Sequence, residues 1–184
     1  MSRGRLFLLT GTSGAGKTTV ATELLNRREN LRRVINYTTR APREGEVDGV
    51  SYNFVDEPTF QKMIDDGAFF EWARVYSNLY GETKASVEGL LNEGFDVLLI
   101  LDPQGAKTIK DSGFPATAIF LDATDEEILH RLTSRGKDDP ASIQKRIEDM
   151  VFDRSHISAC DYVIQNPEGE LATTIEQIIA VMQK

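Results

Sequence analysis

Short apolar runs recur along the chain at Leu6 to Leu9, Asp96 to Leu101, Thr117 to Leu121 and Tyr162 to Ile164, each bounded by turn residues. Continuous apolar runs of this length fit strands covered on both faces rather than strands with one face in water. Most are separated by stretches with helical signals, and that alternation predicts a parallel sheet with helices on both sides. Thr124 with Glu127 forms a capping box ahead of a helix running to Arg135. Asp139 followed by Pro140 marks another helix start, and Pro58 after Asp56 and Glu57 a third. Between Val34 and Tyr76 the pattern changes to short runs of Thr, Tyr, Phe and Val, with a helix-like EPTFQKMIDDG among them. That segment reads as a small mixed subdomain inserted into the sheet. No internal repeat or low-complexity linker interrupts the chain.

Composition narrows the class. A chain of 184 residues, 40% hydrophobic and 27% charged, is long enough for one sizeable core. The net charge of -8 repels phosphate polymers and anionic membranes, so neither nucleic acid nor a membrane surface is an expected partner. A small anion needs a local cluster of positive charge. Cys160 is the only cysteine, and with His130 and His156 alone there is no metal-ligand set of the soft type. These features fit a reducing cytoplasm. The opening MSRGRLFLLTG has an apolar run too short for a signal peptide, and no stretch approaches a membrane span.

One stretch supplies the positive cluster. LTGTSGAGKTT, residues 9 to 19, satisfies GxxxxGK[ST] through Gly11, Gly16, Lys17 and Thr18, with an apolar strand before it and the helical TTVATELLNRRE after it. Backbone N-H groups of Ser13, Gly14, Ala15, Gly16 and Thr19 would turn towards phosphates, Lys17 would reach the terminal ones, and the Thr18 hydroxyl would coordinate Mg2+. The run VLLIL ends at Asp102, which suits either a carboxylate holding that magnesium or the cap of the following helix, PQGAKTIKD. No guanine-reading NKxD occurs, so the loop is not that of a GTPase. Arg40 and Arg43, three apart in a loop containing proline and glycine, suit a fork for a second phosphate, or equally a surface pair answering Glu44 and Glu46.

In order and spacing, TTRAPREGEVDGVSYNFV, FFEWARVYSNLYG, DPQGA and DYVIQN resemble the guanylate kinases, over nearly the whole chain from Leu6 onwards. The resemblance implies an α/β fold in which a P-loop NTPase-type parallel sheet (about residues 1–33, 84–130 and 158–184) carries an acceptor-binding subdomain (34–83) and a helical lid (131–157). It implies ATP-dependent phosphorylation of GMP, and of dGMP, with Mg2+. Carried over residue by residue, Arg40, Arg43, Tyr52 and Tyr80 would hold the acceptor's phosphate, and Glu71 would accept from guanine N1-H and the 2-amino group. Arg131, Arg135 and Arg146 would belong to the lid over the ATP phosphates, and Asn166 would lie near adenine. On spacing alone, Tyr52 and Tyr80 would read as core aromatics like Phe69, Phe70 and Trp72, and Arg131 as a partner of Glu127. Monomer and homo-oligomer both stay open.

Three positions depart from the family's pattern. Glu82 stands where a small hydroxyl residue would donate to guanine O6, Asn36 stands at another position that is usually Ser, and Ile100 replaces the first carboxylate of a DxD that ends at Asp102. An ionised Glu82 facing O6 sets acceptor against acceptor. A guanine reader therefore needs Glu82 turned away, paired with Arg74 or Lys84, or protonated, with the Asn36 amide available as a replacement donor. Two other functions fit the same residues: a monophosphate kinase with an altered acceptor base, read by Glu82 from a 6-amino group, and a non-catalytic guanylate-kinase-like binding module. The intact Lys17, Thr18 and lid arginines speak for an enzyme over the module.

Overall fold

The apolar runs become strands. In a computed structural model that describes residues 2–75, 77–134 and 148–184, the elements in chain order are β1 (Leu6–Gly11), α1 (Lys17–Arg27), β2 (Leu31–Arg33), β3 (Tyr37–Thr38), β4 (Asn53–Phe54), α2 (Glu57–Asp65), β5 (Phe69–Val75), β6 (Asn78–Thr83), α3 (Lys84–Asn92), β7 (Asp96–Ile100), α4 (Pro103–Asp111), β8 (Ala116–Asp122), α5 (Asp125–Ser134), a 3-10 turn (Ile157–Ala159), β9 (Tyr162–Gln165) and α6 (Leu171–Met182). Residues 148–154 are helical and precede the 3-10 turn. The chain divides into two units, Met1–Arg5 with Arg32–Val97, and Leu6–Leu31 with Leu98–Lys184.

The larger sheet has the strand order β2-β7-β1-β8-β9, and its strands β1, β8 and β9 lie wholly in the second unit. β1 pairs with β8 and β8 with β9, both in parallel. All six residues of β1 are buried, as a strand covered on both faces requires. Phe7 and Leu9 point into a core with Val20 and Leu24 of α1, Leu121, Ile164, and Ile175 and Ile178 of α6. Burying side chains of this size contributes about 1.5–3 kcal/mol each. On β7, Ile100 packs against this core, so the residue that departs from the DxD pattern does apolar work. The Thr124 and Glu127 box forms as expected: Thr124 N-H and Oγ1 donate to Glu127, and Glu127 N-H donates to Thr124 Oγ1 at 3.3 Å. The Asp139 and Pro140 start lies outside the described residues.

The first unit holds a four-stranded sheet in the order β4-β3-β6-β5. β3 runs parallel to β4, while β6 is antiparallel to both β3 and β5. One of its faces is covered by α2, whose Phe60 joins Phe69 and Leu79 in a small core, with the Phe60 and Phe69 rings stacked at 4.5 Å. As the sequence suggests, α2 starts at Asp56 and Pro58: Asp56 accepts from Thr59 N-H at 2.8 Å. Phe69 is a core aromatic as expected, but Trp72 is not. It is 45% exposed.

Candidate active site

The phosphate loop leaves β1 through two glycines that no other residue would replace. Gly11 has φ 139, and a Cβ there would sit 1.9 Å from the Leu121 carbonyl oxygen. Gly16, the N-cap of α1, has φ 95, and a Cβ would meet Asn166 Nδ2 at 2.7 Å. Both conformations are open to glycine and strained for other residues. Lys17 then folds its side chain back, Nζ donating to the carbonyls of Gly11 at 2.6 Å and Thr12 at 2.9 Å. Burial lowers the pKa of this ammonium, while the nearby carboxylates of Asp153 and Asp102 pull it back up. The result is a buried cation braced at the loop, with Ser13 and Gly14 half-buried and Thr18 and Thr19 exposed at the first turn of α1.

Two expected residues meet this loop from other elements. Arg131 of α5 donates to the Asn166 carbonyl at 2.7 Å and to the Ala15 carbonyl at 3.4 Å. It therefore sits against the loop rather than serving only as the helical partner of Glu127. Asn166, 6% exposed, does not offer its amide outwards: Nδ2 donates to the Ala15 carbonyl at 2.8 Å, and Oδ1 accepts from Thr174 Oγ1 at 3.0 Å. Beside it lies a cleft of 180 Å³ lined by Gly16, Thr19, Arg131, Pro167, Gly169 and Leu171. Asp102 caps α4, accepting from Gly105 N-H at 2.7 Å, and it also makes its charge felt at Lys17. Arg135 and Arg146 lie outside the described residues. Sequence reasoning missed Asp153, whose carboxylate accepts from Ser13 N-H at 3.2 Å across 140 positions, a pairing no local pattern signals.

The second group of candidate residues shares one face of the smaller sheet, in the first unit. Strand alternation puts Tyr80 and Glu82 on the face opposite Leu79, which is buried against α2. Thr38 pairs with Tyr80 across β3 and β6, and Glu71 pairs with Glu82 across β5 and β6. Directly paired residues share a face, so the two glutamates stand side by side on the Tyr80 face. Tyr52 meets Tyr80 edge to face at 6.1 Å, and the Arg40 guanidinium lies 5.4 Å from the Tyr52 ring. These tyrosines are half-buried, not core.

Glu46 answers Arg40. Its two carboxylate oxygens accept from Arg40 Nη2 at 2.7 and 2.9 Å, and one accepts Arg43 N-H at 2.7 Å. The bond from Arg40 holds the Glu46 carboxyl below the usual range. Of the two acidic residues offered as partners for the arginine pair, Glu46 is the one that answers Arg40, through its side chain, and Arg43, through its backbone.

Glu82 is 5% exposed and accepts from Asn36 Nδ2 at 2.5 Å. Burial pushes its carboxyl up to about 7, against the pull of Asn36 and of Arg33. The salt bridges offered for it go elsewhere: Arg74 pairs with Glu57 at 2.9 Å, and Lys84 donates to the Gly67 carbonyl. Asn36 uses one N-H on Glu82 itself.

Comparison with known proteins identifies the family. The guanylate kinase family profile matches residues 3–184. A guanylate kinase from Chromohalobacter salexigens is 42% identical over 166 residues, covering 90% of this chain and 77% of the relative. One from Thermus thermophilus is 46% identical over 165 residues, covering 89% and 74%. The crystal structure of guanylate kinase from Anaplasma phagocytophilum superposes with a TM-score of 0.72 at 29% identity, covering all of this chain and 86% of that one. A family profile matched over residues 3–184, with relatives 42% and 46% identical over nine-tenths of the sequence, shows that this chain belongs to the guanylate kinase family.

Proposed function

We infer that the protein transfers the terminal phosphoryl group of ATP to GMP, giving GDP, and that dGMP is an acceptor too. The observation that carries the acceptor's identity is the face shared by Arg40, Tyr52, Tyr80, Glu71 and Glu82. It offers a phosphate fork at one end and paired carboxyl groups at the other. Guanine presents two donors, N1-H and the 2-amino group, and one acceptor, O6. An ionised Glu71 takes the donors. Glu82, buried enough to hold a proton near neutrality, supplies an O-H to O6. In this reading the departure at Glu82 is compatible with guanine, and a base that leaves Glu71 unpaired is rejected by up to about 10^4.

The chemistry asks little of the chain beyond placement and charge. A monophosphate oxygen is already ionised at neutral pH, so no residue has to remove a proton from the nucleophile. Arg40 and Arg43 hold the acceptor phosphate, releasing Glu46 as it arrives. Lys17 and Arg131 answer charge on the donor phosphates in a loose in-line transition state. We assign Arg135 and Arg146 to the same task, within a lid at 131–157 over the ATP phosphates; lid closure would exclude water and suppress ATP hydrolysis. The donor's base takes the cleft beside Gly16 and Pro167, on the Asn166 side of the loop. The Thr18 hydroxyl and the Asp102 carboxylate are hard oxygen donors of the kind Mg2+ takes, and the ion would neutralise charge on the donor phosphates. We place the reaction in the cytoplasm; no helix among the described residues is long and apolar enough to cross a membrane.

The test is a comparison of kcat/KM for GMP, dGMP, AMP, dAMP, 2-aminoadenosine monophosphate, CMP and UMP with MgATP, following ADP formation. GMP leading by orders of magnitude is expected. A 6-amino purine leading would reassign Glu82 as an acceptor, and no phosphorylated acceptor would return the chain to a binding role.

A further inference from the structure

Asp153 is placed where the loop expects an anion. Its Oδ2 accepts from Ser13 N-H at 3.2 Å, and the side chain is half-buried, within electrostatic reach of Lys17. Of the carboxylates that pull up the pKa of Lys17, Asp153 is the foremost. The Asp153 carboxyl is itself shifted up, by burial first and by Asp102 and Asp149 after it, against Lys17 and the Ser13 amide. A carboxylate oxygen on a phosphate-loop amide, close enough for its charge to act on the loop lysine, makes one of the contacts of a phosphate oxygen.

The next residue fixes this placement. Arg154 Nε and Nη2 donate to Asp122 at 3.0 and 3.2 Å, Nη2 also donates to the Ala123 carbonyl at 2.8 Å, and Nη1 donates to Asp125 at 2.5 Å. Asp122, 7% exposed, accepts in turn from Thr12 Oγ1 at 3.0 Å. The backbone at 153 and 154 is therefore tied both to the end of β8 and to the loop's own Thr12. Asp153 is not a loose surface carboxylate that happens to lie nearby. Every residue in this arrangement belongs to the second unit.

We propose that Asp153 is an internal phosphate surrogate, seated on the Ser13 amide in the nucleotide-free protein and displaced when a polyphosphate enters, so that it sets the donor site's affinity. The proposal rests on the reading of the loop as the ATP phosphate site; it does not depend on GMP being the acceptor. One amide cannot serve two anions, and the two repel. A binding-competent state populated one time in ten raises the apparent Kd about tenfold, and removing the occupant removes that factor. While seated, the carboxylate also offsets the buried Lys17 charge, so the empty loop keeps its shape.

The experiment titrates the full chain with inorganic tripolyphosphate, with ADP free of metal, and with MgADP, by calorimetry, for wild type, Asp153→Ala, Asp153→Asn and Lys17→Ala. The expected result is tighter metal-free binding of tripolyphosphate and ADP, by about tenfold in Asp153→Ala and by less in Asp153→Asn. A side chain with a merely structural role does not tighten ligand binding when removed. Should Asp153→Ala not fold, Asp153→Asn, which keeps the shape and loses the charge, decides the question. Unchanged or weaker metal-free binding overturns the proposal. Weakening confined to MgADP also overturns it and makes Asp153 a metal-holding group. If binding depends on Lys17 but ignores Asp153, only the surrogate fails; if wild type binds none of these ligands, or binds them without regard to Lys17, the loop assignment fails with it.

Discussion

Replacing Glu82 by Gln converts its buried carboxyl into a measurable pH dependence of stability. The side chain is 5% exposed, accepts from Asn36, and holds its proton up to about 7, against an ordinary value of 4.5. The folded state therefore binds this proton more tightly than the unfolded state. Its contribution to stability is fully present below about pH 4.5, falls as pH rises towards 7, and is gone above that, where the ionised group leaves a standing cost of about 3 kcal/mol. Glu82→Gln keeps an oxygen for Asn36 and has no proton to lose. Between pH 5.5 and 8.5, wild type should lose about 2 kcal/mol relative to the variant, a relative shift of about 1 M in urea midpoint for a slope of about 2 kcal/mol/M. Groups that titrate in both proteins cancel in the difference. Urea unfolding followed by circular dichroism at several pH values makes the measurement. A gap between the two proteins that does not change with pH would overturn this account of Glu82, and with it the neutral carboxyl that the O6 contact requires. The same proton has a kinetic expression: KM for GMP should rise in wild type as pH passes 7, and the amide variant, whose N-H donor is permanent, should lack that rise.

Lys17→Ala should lower kcat by about 10^2- to 10^3-fold, as expected for removing a charge from the transition state, while circular dichroism still reports a folded chain; undiminished ADP formation would remove the role assigned to this residue. Arg40→Ala should raise KM for GMP by about 10- to 100-fold, the worth of a charge-assisted hydrogen bond, and leave KM for ATP unchanged; equal changes in both would show that Arg40 does not serve the acceptor alone. Asn166→Ala leaves the Ala15 carbonyl with only the longer bond from Arg131 and the Thr174 hydroxyl with only its longer bonds to the Gln165 and Glu170 carbonyls. It should cost about 1–3 kcal/mol in nucleotide-free stability by urea unfolding; an effect on KM for ATP with no loss of stability would mean that its amide faces the base instead.

What the sequence made legible was local. The capping box at Thr124, the Asp56 and Pro58 start, the strand runs and the phosphate loop each depend on residues a few positions apart, and each formed as read. Asp102 shows how far such reading goes: its capping of α4 follows from its place before Pro103. Contacts between distant positions were not legible. Asn36 reaches Glu82 across 46 positions, Asn166 reaches Ala15 across 151, and Asp153 reaches Ser13 across 140. In each case the sequence shows a polar residue without showing which atom will claim it.

The acceptor face shows why that matters for function. In a regular strand Phe69 and Glu71, two apart, would share a face, and Glu71 would point with Phe69 into the core against α2. Instead the pairing shifts between them: Phe69 stands opposite Thr83, and Glu71 stands opposite Glu82. One extra residue on β5 sends Phe69 to the core side and Glu71 to the Tyr80 side, which is what a bulge does. Gly81 makes room on β6, since a Cβ there would lie 2.8 Å from the Phe69 ring. The residues FFEWARV alone do not reveal that bulge, and without it a regular ladder running on from Phe69 would exchange the faces of Glu71 and Trp72. The glutamate pair proposed to read the base therefore depends on the Phe69, Gly81 and Phe60 packing behind it. A side chain at position 81 would press on the Phe69 ring and on the Glu71 carbonyl oxygen, 3.0 Å from its Cβ, and so move Glu71.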